Sequence, residues 1–205
     1  MARHEGEDEE VVAVLAMNIA SRIRVRRADA ADAVVLSEFA ERIFRETFEA
    51  TNDPADMAAY LADAFGADRQ RAELAEPGAI VLLAEDVTGS NPVAPLAGYS
   101  HLTTGEAPDS VPGSDPFELK RFYIDRSWQG AGLAQMLMRA TLDAAVAAGA
   151  RTLWLGVWEH NPRAIAFYRK FAFVEAGTHD FMLGRDRQTD LIMMRPLDDT
   201  ASDPH

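Results

Sequence analysis

Gln129-Gly-Ala-Gly-Leu-Ala134 is a glycine-rich turn between a predicted strand and a predicted helix. Residues 117–124 end in β-branched and aromatic side chains, which favours a strand, and residues 133–148 keep a helical apolar period. Two glycines at such a turn let the backbone N–H groups face outward without a Cβ in the way. Those N–H groups and the helix N-terminus form a site for a phosphate group, so we expect this segment to hold a phosphorylated cofactor.

Two other phosphate-binding patterns fit this turn less well. A dinucleotide site needs a third glycine and, about 20 positions on, an acidic residue. This chain has Gln135 at the first of these positions and Ala-Arg-Thr, residues 150–152, near the second. A P-loop needs Gly-Lys-Ser/Thr after the second glycine, where this chain has Leu133-Ala134. A plain helix-entry turn without a ligand stays open as an alternative.

A second segment narrows the choice of cofactor. Asn161-Pro-Arg-Ala-Ile-Ala-Phe-Tyr168-Arg-Lys-Phe-Ala-Phe173 follows the turn. Together with Gln129-x-x-Gly132-x-Ala134 it resembles the paired motifs of the GNAT N-acetyltransferase superfamily, usually Gln/Arg-x-x-Gly-x-Gly/Ala and Asn-x-x-Ala-x-x-Phe-Tyr-x-Lys-x-Gly-Phe. In that family the loop grips the pyrophosphate of acetyl-CoA. The resemblance covers residues 23–197 in order and length, and it implies an N-acetyltransferase with acetyl-CoA as cofactor.

Composition argues against several classes of protein. The length of 205 residues suggests one domain. Without cysteine there are no disulfides or thiolate sites, and the five histidines show no metal-ligand spacing, so no metal is expected. The net charge of −13 argues against a nucleic-acid partner. The longest apolar run, residues 11–17, is too short to span a membrane, and the acidic N-terminus is unlike a secretory signal. We therefore expect a soluble cytoplasmic protein.

The predicted elements suggest one domain with short flanking segments. Residues 1–21 are expected to be an N-terminal extension, residues 22–197 the domain, and residues 198–205 a polar tail. The predicted order β-α-α-β-β-β-α-β-α-β-β is that of the GNAT enzymes. The resemblance then implies an α/β fold with a mixed central β-sheet flanked by helices. That sheet is splayed between strands 4 and 5, here residues 119–124 and 152–158, and the gap holds the pantetheine arm.

Acetyl transfer from a thioester to an amine needs a polarised carbonyl, a bound cofactor, an acceptor for the amine proton and an acid for the thiolate. A splayed strand leaves backbone N–H groups unpaired, so we expect the carbonyl beside Phe122, Tyr123 or Ile124. The resemblance implies further cofactor contacts from the loop and the second motif, namely Gln129, Gly130, Ala131, Gly132, Leu133, Ala134, Asn161 and Lys170.

Two residues are candidates for the proton transfers. Tyr168 falls on the tyrosine of the family's Phe-Tyr pair, which lies near the cofactor sulfur. The resemblance therefore implies that Tyr168 is the acid that protonates the departing thiolate. The alternative is a core tyrosine that packs between Phe167 and Phe171. Glu118 starts the central strand, where some family members carry a glutamate that draws the amine proton through water. A solvated carboxylate is its alternative. Asn161 is also expected to cap its helix, and Lys170 is either a phosphate partner or an exposed helix lysine.

Ala172 departs from the family pattern, which has glycine at this position. If the backbone is left-handed there, alanine costs about 1 kcal/mol or more. Position 172 lies outside the cofactor loop at residues 129–134, so this difference does not alter the loop.

Three further segments resemble the bacterial PaiA-type polyamine N-acetyltransferases, which act on spermidine and spermine. They are Arg45-Glu-Thr-Phe48 with Asn52, then Trp154-Leu-Gly-Val-Trp-Glu159, and then Gly177-Thr-His-Asp-Phe-Met-Leu-Gly184 continuing to Gln188-Thr-Asp-Leu-Ile-Met193. The resemblance implies a small-molecule amine substrate, here a polyamine, with Trp158 and Glu159 beside it. Three other functions stay open: acetylation of a protein N-terminus or lysine, acetylation of another small amine, and acetyl-CoA sensing without turnover. The sequence is compatible with a monomer and with a homodimer.

Overall fold

The computed structural model describes residues 19–89 and 96–197, and these ranges contain a seven-stranded sheet with five complete α-helices. The helices are α1 (Ala33–Phe48), α2 (Pro54–Ala64), α3 (Ala67–Ala75), α4 (Leu133–Ala147) and α5 (Pro162–Lys170). The strands are β1 (Ile23–Arg27), β2 (Ile80–Asp86), β3 (Leu96–Thr104), β4 (Pro116–Ile124), β5 (Thr152–Trp158), β6 (Val174–Leu183) and β7 (Asp186–Pro196).

The sheet is mixed and opens between β4 and β5. Its order is β1-β2-β3-β4-β5-β7-β6, and every neighbouring pair is antiparallel except β4 and β5. Those two strands pair only where Pro116 to Glu118 face Thr152 to Trp154, whereas β5 stays paired with β7 as far as Trp158. The predicted α/β fold, with a sheet splayed between strands 4 and 5, is therefore confirmed.

Two apolar cores lie on opposite faces of the sheet. Strand β2 contributes to both, because successive side chains of a strand point to opposite faces. Leu82 packs in the core that also holds Leu137 of α4 and Ile165 of α5. Leu83 packs in the core that also holds Leu36 of α1 and the buried side chains of α2. The helices therefore cover both faces, and the gap between β4 and β5 lies between these layers.

Helix α3 is an addition to the predicted order, which has two helices before β2. Its buried residues are polar, so the segment lacks the apolar stripe that indicates a packed helix. Gln70 donates to the carbonyl of Ala64 at 3.1 Å, and Glu73 accepts from Lys120 of β4 at 2.9 Å. This helix is held by polar contacts with distant parts of the chain.

The domain boundaries differ in detail from the sequence prediction. Ile19, within the predicted extension, is 5% exposed and packs in the core of α4 and α5. The hairpin of β6 and β7 turns at Gly184 and Arg185 alone, so both strands are longer than predicted. The apolar run at residues 11–17 and the tail at residues 198–205 lie outside the described residues. The division into extension, domain and tail stays a prediction.

Two helix ends adopt the left-handed backbone. Gly149, after α4, has φ of 92°, the left-handed conformation of a glycine helix cap. Ala172, after α5, has φ of 59°, so the alanine sits where the family pattern has glycine. Within the described ranges, no helix combines the length and the apolar character needed to cross a membrane.

Candidate active site

A cleft of about 740 Å³ opens where β4 and β5 part. Its wall runs from the glycine-rich turn and α5 at one end to α1, α2 and the β6–β7 hairpin at the other. The cleft therefore joins the predicted cofactor end to the predicted acceptor end. Many of the predicted site residues line it, namely Glu118, Phe122, Tyr123, Ile124, Gln129, Gly130, Gly132, Ala134, Trp158, Asn161 and Tyr168.

Four predicted site residues lie outside this wall as the structure describes it. Leu133 is fully buried in the core, and Ala131 packs against the same core. Glu159 is exposed and lies 3.8 Å from the imidazole of His160. Lys170 is exposed at the end of α5. Their assigned roles stay predictions, and for Leu133 only the backbone N–H could serve a ligand.

The glycine-rich turn has the geometry of an anion site. Gly130 and Gly132 have φ of 82° and 87°, a region that glycine enters at little cost. A Cβ built on either residue meets no heavy atom within 4 Å, so the backbone there faces open space. No side chain caps α4, and Met136 donates to the carbonyl of Gly132 at 3.1 Å. The N–H groups of Gln129 and Ala131 donate to the carbonyls of Arg126 and Trp128, whereas those of residues 132–135 precede the first helical bond and can bind a phosphate group.

Helix α5 places a capped N-terminus and the positive charge of an arginine at this end of the cleft. Asn161 accepts a hydrogen bond from the N–H of Ala164 at 3.1 Å, which confirms the predicted helix cap. Arg163 donates to Oε1 of Gln129 at 2.6 Å. Arg163 and Arg126 both line the cleft. Because guanidinium groups bind phosphate oxygens in a planar, bidentate way, these arginines suit a polyphosphate ligand.

Tyr168 lies in an aromatic wall with its hydroxyl unpaired. Its ring contacts Phe122, Phe167 and Phe173 edge to face, and its side chain is buried. Burial raises the pKa of the Tyr168 hydroxyl, so the group keeps its proton at neutral pH. The hydroxyl makes no hydrogen bond with any described residue, although Tyr168 lines the cleft. The arrangement combines core packing with an available proton donor.

The free edge of β4 supplies the backbone donors that acyl transfer needs. Phe122 and Ile124 pair with Ser100 and Gly98 of β3 on one side only, since β5 has already departed. An antiparallel ladder bonds alternate residues to each neighbour. Strand residues that would face β5 are therefore left with N–H groups turned to the cleft. This edge can polarise a carbonyl placed in the gap.

Glu118 lies at the last β4 residue that pairs with β5, and its side chain lines the cleft. Burial raises the pKa of its carboxyl, and the positive charges of Lys120 and His179 oppose this only in part. The carboxylate makes no hydrogen bond with a described residue. A buried carboxylate without a hydrogen-bond partner accepts a proton more readily than an exposed one.

Asp190 and His179 form a second polar group on the opposite wall of the cleft. They face each other across β7 and β6, with His179 Nε2 3.8 Å from Asp190 Oδ2. Burial raises the pKa of Asp190, His179 opposes that shift, and Glu159 adds to it. Nε2 of His179 is buried and has no hydrogen-bond partner among the described residues. The acceptor end therefore holds two carboxylates and an imidazole nitrogen without hydrogen-bond partners.

Two cations of β4 share one buried carboxylate partner. Arg121 and Lys120 of β4 both form ion pairs with Glu73 of α3, which is 5% exposed. Burial of Glu73 would raise the pKa of its carboxyl, but Arg121 and Lys120 outweigh that effect and lower the pKa to about 2. Arg121 also lies over the ring of Phe65, 5.0 Å from its centroid. One carboxylate offsets one of these two charges, and the positive charge of β4 still opposes the rise in the pKa of Glu118.

Aromatic rings complete the acceptor end. Phe48 of α1 meets Trp158 of β5 at a centroid distance of 6.2 Å, and Tyr60 of α2 meets Phe181 of β6 at 5.4 Å. All four residues line the cleft. Aromatic faces beside carboxylates attract cations, because the ring quadrupole and the negative charge act in the same sense.

Sequence reasoning missed His179 and Asp190 as site residues. Both stand in the hairpin segment that resembles the polyamine acetyltransferases, but that resemblance gives no strand register. The register of β6 on β7 places them side by side, and both pack closely against Gly156 of β5, where a Cβ would lie 2.6 Å from His179 Nε2. One sequence signal could have indicated these two residues: both are ionisable and lie in a predicted hairpin, and the neighbouring strand contains a glycine.

Comparisons with known proteins agree with this geometry. The profile of the Acetyltransferase (GNAT) family matches residues 37–173. An uncharacterized N-acetyltransferase in the pepI 3′ region of Lactobacillus delbrueckii subsp. lactis is 31% identical over 175 residues, 85% of this chain and 96% of that protein. The spermine/spermidine N(1)-acetyltransferase of Bacillus subtilis (strain 168) is 34% identical over 64 residues, 31% of this chain and 42% of that protein.

A solved structure supports the fold. The PaiA N-acetyltransferase from Thermoplasma acidophilum, crystallised with coenzyme A, superposes with a TM-score of 0.64. The match covers 85% of this chain and 98% of that chain at 17% identity. At this identity the likeness is one of fold.

Proposed function

The chain belongs to the GNAT acetyltransferase family, and on that premise we propose that its acceptor is a primary amine of a polyamine such as spermidine or spermine. As an N-acetyltransferase of this family it uses acetyl-CoA, the predicted cofactor, as its acetyl donor. The substrate class is the open part of the function, and it rests on the acceptor end of the cleft.

The observation that carries the proposal is a pair of carboxylates that lie among aromatic rings and have no hydrogen-bond partner among the described residues. Glu118 and Asp190 line the acceptor end, and burial raises the pKa of both. A carboxylate that has lost water without gaining a cation is stabilised when an ammonium group binds beside it. Trp158 and Tyr60 add aromatic surface for the same charge. A ligand with more than one ammonium group can satisfy both carboxylates.

The wall also disfavours anionic acceptors. The side chains of Arg121 and Lys120 are both held by Glu73 instead of by a carboxylate of the cleft wall. A free amino acid or an acidic peptide would bring its own negative charge next to Glu118 and Asp190. Like charges in a partly buried site repel strongly. A polycation is therefore the better match.

The remaining residues take roles that agree with their positions. The turn at residues 129–134 holds the pyrophosphate, with Asn161 and Lys170 as further cofactor contacts. The free edge at Phe122 to Ile124 polarises the acetyl carbonyl. Glu118 accepts the proton of the amine, and Tyr168 donates a proton to the departing thiolate. Trp158 and Glu159 flank the acceptor.

The relatives give this substrate class modest support. The partial match to the spermine/spermidine acetyltransferase of Bacillus subtilis covers less than half of that protein. The relative that matches along its whole length carries no substrate in its name. The chemistry of the cleft wall thus carries the proposal.

Removal of one carboxylate tests this proposal. We expect Asp190→Asn to raise the KM for spermidine more than the KM for a monoamine of similar length, because only the polyamine uses a second carboxylate. Asp180→Asn is the matched control, since Asp180 is on the same hairpin, pairs with Arg187 at 2.6 Å and lies outside the cleft wall. An equal rise in both KM values would contradict the polyamine assignment. Calorimetric binding of acetyl-CoA without turnover of any amine would indicate the sensing alternative.

A further inference from the structure

Gln188 of β7 lines the acceptor end of the cleft with a side-chain amide of fixed orientation. Its Nε2 donates to Asn52 Oδ1 at 2.6 Å and to Asp186 Oδ2 at 2.8 Å. An ionised carboxylate only accepts hydrogen bonds, so the part of the amide that faces Asp186 is the NH2 group. Asn52 is fixed as well, because its Nδ2 donates to the carbonyl of Phe48 at 2.7 Å. Both N–H donors of Gln188 are therefore used, and Oε1 is the atom left for a ligand.

The Oε1 atom of Gln188 is open to a ligand. No described residue donates a hydrogen bond to it, and unlike Nε2 of His179 it is not buried away from solvent. A half-buried carbonyl oxygen without a donor is stabilised when a ligand N–H or O–H group binds to it. Because this oxygen has lone pairs and no proton, it selects a donor and disfavours an acceptor.

Gln188 extends the acceptors of the cleft wall outward along β7. Its side chain shares one face of the strand with that of Asp190, and two residues of a strand span about 6.8 Å. Asp190 pairs with Trp158, the last residue of β5, so Gln188 lies one step beyond the end of that strand. Glu118 lies further inside, where β4 pairs with Trp154. The three acceptors thus follow one another from the middle of the sheet to the outer end of the cleft.

The surroundings of Gln188 favour a cationic donor. Asp186 and Asp190 flank it on the same face of β7. The arginines of the same hairpin, Arg185 and Arg187, are each paired with a carboxylate of their own outside this row. Hydrogen bonds from a charged donor are also stronger than those from a neutral one. A protonated amine is therefore a better ligand for this oxygen than a hydroxyl group.

We propose that Gln188 is a specificity-determining residue that accepts a hydrogen bond from the third nitrogen of the acceptor. The reacting amine lies beside Glu118, the second ammonium group beside Asp190, and the third beside Gln188 Oε1. The bonds to Asn52 and Asp186 hold the amide in place, so this contact costs little further ordering of the protein. The inference rests on the proposed polyamine acetylation and adds a preference for acceptors with three or more nitrogens over diamines.

Substrates that lack one nitrogen test this assignment. Two analogues of spermidine each carry a methyl group in place of one terminal amine, and the analogue that keeps the reacting amine has the same chain length without the third nitrogen. We expect the wild type to prefer spermidine to this analogue about tenfold or more in kcat/KM, the range of one hydrogen bond to a charged group. Gln188→Met has a similar shape without the oxygen. Its preference should be about tenfold weaker, with the KM for acetyl-CoA within a few-fold of the wild-type value.

Two further variants separate the hydrogen bond from the packing of the hairpin. Gln188→Glu keeps an acceptor oxygen, so the preference for spermidine should persist and become more sensitive to salt. Thr189→Val, on the opposite face of β7 and outside the cleft wall, should keep the wild-type preference.

Three results would count against the role of Gln188. They are a wild type that does not discriminate the two substrates, a Gln188→Met variant with the wild-type preference, and a Gln188→Glu variant that loses the preference as Gln188→Met does. Each would overturn this role and leave polyamine acetylation standing. A wild type that acetylates neither spermidine nor spermine would overturn both.

Discussion

Arg163 Nη1 donates a 2.6 Å hydrogen bond to Gln129 Oε1, which ties the first turn of α5 to the glycine-rich turn before α4. The two motifs that carry the family resemblance therefore meet at one end of the cleft. Open backbone at Gly130 and Gly132 and the guanidinium groups of Arg126 and Arg163 face the same space. This end of the cleft is suited to the pyrophosphate of acetyl-CoA.

Gly132→Val is expected to weaken acetyl-CoA binding severely. The branched side chain would fill the open space beside the N–H groups of the turn and strain a backbone with φ of 87°. Isothermal titration with acetyl-CoA measures the effect. Gly149→Val is the control, because Gly149 has φ of 92° and equally open surroundings at the other end of α4. Equal affinity in the two folded variants would rule out binding at the turn.

Tyr168→Phe is expected to lower the rate of acetyl transfer by about 10²–10⁴ while acetyl-CoA affinity stays within a few-fold. The phenol is protonated at neutral pH, because burial raises its pKa, and it has no competing partner. Tyr99→Phe is the matched control, since that hydroxyl is buried without a partner and lies outside the cleft wall. Full activity in Tyr168→Phe would return this residue to a packing role.

Glu73→Gln is expected to destabilise the fold by about 3 kcal/mol or more at neutral pH, because it leaves the buried charge of Arg121 unpaired. The folded pKa of about 2 lies below the ordinary 4.5, so this stabilisation is present above pH 4.5 and is lost as the pH falls toward 2. Urea unfolding at pH 7 and pH 3 measures both effects. Asp68→Asn on the same helix removes an exposed carboxylate and should change little. A difference between Glu73→Gln and wild type that is the same at both pH values would contradict the ion-pair explanation.

Ala172→Gly is expected to stabilise the fold by about 1 kcal/mol, because glycine removes the strain of a left-handed alanine. Ala172 is exposed, so the change opens no cavity. Thermal unfolding measures it. Ala147→Gly, in the last turn of α4, should have the opposite sign and destabilise by about 0.5–1 kcal/mol. A loss of stability in Ala172→Gly would show that the position tolerates alanine without strain.

The cofactor end of the site was predictable because its signals are local in sequence. A strand, two glycines and a helix specify the turn, and Asn161 followed by Pro162 specifies a helix start without reference to distant residues. The splay of β4 from β5 was predicted from the family resemblance, and the pairing of the strands confirms it.

The acceptor end was less predictable because it depends on register and on polar packing. His179 and Asp190 meet only after β6 and β7 pair, and they can pack against β5 because that strand has Gly156 at their level. Apolar periodicity did not predict helix α3, because its buried residues, Gln70 and Glu73, are polar. The partner of Glu73 is Arg121, which lies 48 positions away. Glu159 was chosen from its place in a motif, yet Asp190 lines the wall and Glu159 does not.

Initial rates of thiol release from acetyl-CoA with spermidine, spermine, a monoamine and a lysine-containing peptide test the central claim most directly. We predict the highest kcat/KM for the polyamines, because Asp190 orients the second ammonium group while Glu118 lies beside the reacting one. Their advantage should shrink with added salt, which screens charge pairing at an open cleft. Turnover of the peptide or the monoamine with no turnover of either polyamine would contradict the polyamine assignment.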